Sequence, residues 1–239
     1  MGISRGNITT NIIKKGLVFN MDAANRASTI PSTSTLKTFN TIDLSQSGSI
    51  VTDATWEAGS PSSFDFDGSD GYIQCQDLSV LTSVTQFTLN WWILTKDRDA
   101  DHFLFGNRAS NGGMAFQTHS SGNYFYFRNS DGSNSWATFS ISNFPEDEWF
   151  NFCIVFNGSQ SSDATKVKIY VNGSAISLSF NGTIPTSIPS GADPFQIAQD
   201  YLSSTYWNGN INSFNIYNRA LSASEVLFNY NGLKSRFGL

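Results

Sequence analysis

Asn-Gly pairs stand at residues 111–112, 157–158, 172–173, 181–182, 208–209 and 231–232, and most of the apolar runs between them are too short to be helices. Asn-Gly is the preferred pair for type I′ hairpin turns because both residues accept positive φ. The clearest strand, "TKVKIYVNG", puts Val167, Ile169 and Val171 on one face and Lys166, Lys168 and Tyr170 on the other, then reaches a turn before "SAISLS". It predicts a hairpin with one wet face. By contrast "FTLNWWILT" (87–95), "NYFYFRN" (123–129) and "EWFNFCIVFN" (148–157) carry apolar residues on both faces, the pattern of central strands covered from both sides. Strand-like segments recur about every ten residues, without alternating helices or internal repeats, which predicts an all-β sandwich or barrel. A chain of 239 residues is ordinary for one such domain. Residues 28–50 form a polar excursion, and residues 1–15 read as an N-terminal arm before the first strand, leaving 16–239 as the domain.

One helix interrupts the pattern. Ser222 and Glu225 have capping-box spacing, Val226, Leu227 and Tyr230 follow on one stripe, and Gly232 stands where a left-handed C-cap would end it. Two turns are too short to be stable alone, so the stripe must be covered by the rest of the fold, with Leu221, Val226 and Leu227 as expected core contacts.

Composition then limits the partners. Charged residues are 14% of the chain, aromatics are also 14%, and Phe occurs 20 times, which predicts a large aromatic core under a neutral Ser- and Asn-rich surface. A net charge of −5 without any Lys/Arg block leaves no electrostatic footprint for nucleic acid or anionic lipid. No run approaches the length of a membrane span, and "MGISRGNITTNIIKKG" lacks the apolar centre of a secretory signal. The chain is therefore expected to be made in the cytoplasm. Cys75 and Cys153 each sit in an apolar strand-like run and read as buried free thiols.

Catalytic signals are few. His102 and His119 lie in separate segments, outside any zinc-protease or serine-triad pattern. The cluster Glu146-Asp147-Glu148 follows a Pro at a turn, and neighbouring strand residues alternate faces, so it reads as a strand start rather than a glycosidase pair. Asp67 in "FDFDGSDGY" could ligate calcium or simply make a turn. No enzymatic activity is expected.

Four phrases taken together resemble a known family. "SFDFDGSDGYIQC", "FTLNWWI", "EWFNFCIVFNGS" with "TKVKIYVNGSAIS", and "YWNGNINSFNIYNRALSASEV" match, in order, successive strands of laminin-G-like domains of the concanavalin A-like superfamily, over about residues 16–233. The resemblance implies a jelly-roll sandwich of two antiparallel sheets with one short C-terminal helix, glycan or protein binding, and a structural calcium ion. The calcium positions would be Asp67 in the "FDG" turn, Asn212 where relatives carry an acidic pair, and Asp22 after the first strand. An amide at 212 adds no charge, so such a site is expected to be weaker than in acidic relatives. Aromatic platforms for a glycan would come from Tyr124, Tyr126, Trp136 and Tyr206, although for each the core reading is the stronger one because large aromatics usually bury themselves; Trp207 reads as packed.

The opening "KGLVFNMDAANRAS" and closing "EVLFNYNGLKSRFGL" look like those of laminin-G-like proteins of tailed bacteriophages, especially of marine and cyanobacterial hosts. That resemblance implies a virion surface protein whose partners are other virion proteins and a host-surface glycan. A head-decoration, fibre or tail component contacting only virion subunits is the other reading, and the oligomeric state stays open.

Overall fold

The computed structural model describes residues 11–30, 37–42, 47–51, 54–75, 78–110, 112–189 and 194–239. Two antiparallel sheets face each other. The eight-stranded sheet runs in the order Ser174–Ala175, Val167–Val171, Phe150–Asn157, Gln86–Thr95, Asn208–Tyr217, Ser63–Asp67 and Thr55–Glu57, with Leu17–Asp22 also paired to Asn208–Tyr217. The ten-stranded sheet runs Ser179–Asn181, Asn134–Phe139, Gly122–Arg128, Met114–His119, His102–Gly106, Gln196–Ile197, Tyr72–Cys75, Ser47–Val51, Lys37–Phe39 and Thr29–Ile30. The last three strands come from the polar excursion, of which residues 31–36 and 43–46 lie outside the described residues.

Between the sheets the phenylalanines meet as rings. Trp91 stacks on Phe214 at 3.6 Å and faces Phe105 of the other sheet at 5.7 Å. Phe116 and Phe152 meet across the gap at 4.6 Å, and Phe87 meets Phe125 at 6.5 Å. Offset and edge-on ring pairs add to the burial of apolar area itself, about 0.5–1.5 kcal/mol each. Cys75 belongs to this core, while Cys153 lies on the opposite face of its sheet; both are free, and burial pushes the Cys75 thiol up to about 12.

The outer face of the eight-stranded sheet is covered by the C-terminal helix (Ala223–Leu233) and the 3-10 turn after it (Lys234–Phe237). Trp92 stacks on Phe237 at 3.9 Å and on Tyr230 at 5.8 Å. The capping box forms as expected, with Glu225 N–H donating to Ser222 Oγ and Ser222 N–H to the Glu225 carboxylate. Three expectations fail here. Leu221 and Val226 are buried, but Leu227 is 45% exposed, because successive helix residues stand about 100° apart and, with Val226 facing the sheet, Leu227 turns toward solvent. Gly232 is helical, and a Cβ there would meet the Asn11 carbonyl at 2.0 Å, so it permits close approach and does not cap; the left-handed residue is Gly238, φ 76°. The face expected to be wet in Val167–Val171 is half covered, since Tyr170 packs with Val226 and Leu233.

The Asn-Gly pairs also diverge. Asn172 and Gly173, with φ of 51° and 75°, make the expected turn. Asn208-Gly209 opens a strand instead, where a Gly209 Cβ would lie 2.1 Å from the Leu94 carbonyl. Pair 111–112 includes an undescribed residue.

Of the expected arm, residues 1–10 are not described, and residues 11–15 lie on the helix. Ile12 is buried, Ile13 N–H donates to Asn229 Oδ1 at 2.8 Å, and Asn229 Nδ2 donates to the Tyr217 hydroxyl at 3.0 Å.

Candidate functional site

On the ten-stranded sheet the outward face carries the residues of interest. Strand alternation turns Phe125 and Phe127 inward, so Tyr124, Tyr126 and Arg128 must face out. The cross-strand register then places Gln117, Tyr124, Thr138 and Ser179 in one row and Ala115, Tyr126, Trp136 and Asn181 in the next. Tyr124 and Tyr126 stack at 5.5 Å, and Trp136 stands 5.8 Å from Tyr126 and 6.5 Å from Tyr124. All three are half-buried. They form an aromatic surface with amide and hydroxyl side chains along one margin.

The rings continue in a line. Arg108 lies over Tyr126 at 5.2 Å and over Phe103 at 5.0 Å, while His119 meets Tyr124 edge-on at 5.9 Å. Beneath Arg108, the fully buried Asp200 accepts from its Nε, Nη2 and backbone N–H and from Leu202 N–H. Burial pushes the Asp200 carboxyl up and Arg108 pulls it back. The ion pair thus fixes the guanidinium against Tyr126 and cancels most of its charge. Room for it depends on Gly106, where a Cβ would lie 2.1 Å from Asp200 Oδ1.

Hydrogen-bonding capacity remains at the surface. Burial, helped by Tyr124, pushes the Tyr126 phenol up to about 12, so it stays protonated and can donate. The Tyr124 hydroxyl pairs with Ser121 Oγ at 2.8 Å. Ser121 N–H donates to His119 Nδ1 at 3.0 Å, its Oγ approaches the same nitrogen at 2.7 Å, and Asp101 faces Nε2 at 3.4 Å. This superficially resembles a serine triad, but here His119 Nδ1 also accepts from the Ser121 backbone N–H within a tight turn.

Tyr206, the fourth aromatic candidate, is elsewhere. It pairs with Tyr72 at 6.4 Å, on a strand four places along the sheet from that of Tyr124, and its carbonyl faces His102 Nδ1 at 2.6 Å. Trp207 is fully buried, as expected.

The three calcium candidates do not converge. Asp67 accepts from Ser69 N–H in its own exposed turn and pairs with Asn208 across the sheet. Asp22 and Asn212 do come together, but around Arg236: Nη1 donates to both Asp22 oxygens at 3.0 and 2.9 Å and to Asn212 Oδ1 at 3.3 Å. Their oxygens are already directed at a cation of the chain itself. These residues do not fit a calcium ion, and no group of three or more His, Cys, Asp or Glu side chains suited to a metal occurs among the described residues.

A small cavity of about 100 Å³ under Val167, Ile176, Leu178 and Phe180 is below the roughly 300 Å³ that ligand pockets start from. Sequence reasoning missed Arg108, Asp200 and Gly106, because Asp200 lies more than ninety residues from the other two and no local spacing connects them.

Residues 67–227 match the family Laminin_G_3, described as the concanavalin A-like lectin/glucanases superfamily, and the chain belongs to it. No curated protein matches the chain. Among solved structures, the binding domain of botulinum neurotoxin serotype D superposes with a TM-score of 0.66 at 13% identity, over 91% of this chain and 52% of that one. Botulinum neurotoxin type C, whose cell entry depends on interaction with two ganglioside molecules, gives 0.66 at 18% identity over 91% and 51%. The binding domain of neurotoxin DC in complex with rat synaptotagmin II gives 0.67 at 16% over 91% and 52%. The chain spans about half of those toxin domains, and at these identities the likeness is one of fold.

Proposed function

We propose that this chain is an adhesion module that binds a host-surface glycan through the outward face of its ten-stranded sheet, around Tyr124, Tyr126 and Trp136. The observation that carries the reading is the unequal treatment of the two outer faces. One is sealed by the C-terminal helix, whereas the other displays three half-buried aromatic rings in register with Gln117, Thr138, Ser179 and Asn181. Sugars present C–H faces and hydroxyls together, which suits rings flanked by amides and hydroxyls. The toxin domains with this fold include one in complex with SialylT and one whose cell entry depends on gangliosides, which supports a binding role over turnover.

The setting is a phage virion surface, supported by the resemblance of the opening and closing segments to tailed-phage proteins. Other virion proteins are then its assembly partners. Binding of the isolated chain to a glycan array and to host cells is the test, with Trp136→Ala and Tyr126→Ala expected to lose about tenfold or more in affinity, about 1.4 kcal/mol per tenfold. Silence on the array, together with tight association with a capsid or tail protein, would leave the chain a purely structural virion component.

A further inference from the structure

Around Asp22 the structure carries a cation of its own making. Arg236 Nη1 touches three oxygens from two residues of neighbouring strands, and the Asp22 side chain is only 6% exposed. Both residues are otherwise fastened: Asp22 Oδ1 accepts from Ala24 N–H, Asn212 Nδ2 donates to the Ser62 carbonyl, and Ala23 N–H donates to the Asn212 carbonyl. The oxygens are therefore held in place by the sheet, and the guanidinium arrives from the turn Lys234–Phe237, beyond the last helix. An isolated carboxylate buried this far would be costly, and a single cationic nitrogen satisfies it.

We propose that Arg236 stands in for a divalent cation, so that the domain needs no calcium and its C-terminal turn is a strap carrying the replacement charge. The turn is anchored independently by Phe237, sandwiched against Trp92 at 3.9 Å and Trp149 at 5.2 Å. The sheet supplies the anionic half of the contact and the strap the cationic half. Without the guanidinium, the Asp22 carboxylate and the Asn212 amide oxygen become a nascent oxygen site of the kind hard cations take.

Terbium luminescence and thermal unfolding of the full chain test this. Trp56 Nε1 donates to the Ala23 carbonyl at 3.0 Å, which places a sensitising indole next to Asp22. The native chain should melt at the same temperature in millimolar calcium and in chelator. Arg236→Ala should melt about 5–10 °C lower, recover part of that loss in calcium, and gain terbium luminescence that disappears in the Asp22→Asn/Arg236→Ala double variant. Arg236→Gln, which keeps a polar stem, serves if the alanine variant does not fold. Calcium stabilisation of the native chain that Asp22→Asn abolishes would overturn the proposal. So would a folded Arg236 variant whose terbium signal is no greater than that of the double variant.

Discussion

At the scale of single residues, the aromatic surface rests on chemistry two layers down. Tyr126 has its ring held in place by Arg108 lying over it, Arg108 is pinned by Asp200, and Asp200 fits because residue 106 has no Cβ. Gly106→Ala should therefore damage the site without touching it. Breaking a buried pair by displacing one partner costs about 3–5 kcal/mol, a loss that denaturant unfolding would report. Asp200→Asn should show the same direction with a smaller loss, because the amide still accepts from Arg108. If either variant kept full stability, the pair would be incidental to the fold. This layer could not be read from the chain, where Gly106, Arg108 and Asp200 are unremarkable neighbours of ordinary strands. The visible layer could: Tyr124, Tyr126 and Trp136 were legible because strand alternation and aromatic type are both written locally, whereas Tyr206 shared the type and not the sheet position.

At the scale of elements, the C-terminal helix shows what local signals can and cannot give. Its start was legible because Ser222 and Glu225 satisfy each other within one turn; its end was not, because Gly232 continues the helix only by letting the Asn11 backbone approach. The start also has a pH signature. Arg219 holds Glu225 through two bonds at 2.9 and 2.7 Å, and with Ser222 N–H these lower its carboxyl from 4.5 to about 2. A carboxylate depressed in the folded state adds stability that is fully present above the unfolded value and is lost as pH falls toward the folded one. The contribution should hold above about pH 5 and vanish between roughly pH 4 and 2. Urea midpoints of the native chain and Glu225→Gln should differ at neutral pH and converge in that window; parallel curves down to pH 2 would refute the linkage.

At the scale of the whole molecule, the two outer faces differ, one sealed by the C-terminal helix and the other open. Asn151, Asn90, Asn215 and Asn20 pass hydrogen bonds from strand to strand across the eight-stranded sheet, at 3.1, 3.2 and 2.6 Å. Of these, Asn151, Asn90 and Asn215 are buried, and amides without such partners would be costly to bury. The sequence hinted at coverage through the two-sided apolar strands 87–95 and 148–157, yet 123–129 shows the same pattern and is left open, because the cover is a helix and turn outside the sheets whose path no strand pattern encodes. Residues 11–15 complete that cover: Ile12 enters the same apolar cluster as Trp92, Tyr217 and Val226, and the Ile13 backbone is tied to Asn229. Ile12→Ala should thus cost about 2–4 kcal/mol as a buried truncation. Asn229→Ala should cost about 1–3 kcal/mol more when combined, since it leaves the Ile13 N–H and the Tyr217 hydroxyl unpaired. Because these residues touch only the sealed face, the glycan binding proposed for Tyr124, Tyr126 and Trp136 should be unchanged in both variants while they remain folded. Loss of affinity in step with loss of stability would mean that the open face depends on the seal, and that the sandwich behaves as one unit rather than two independent surfaces.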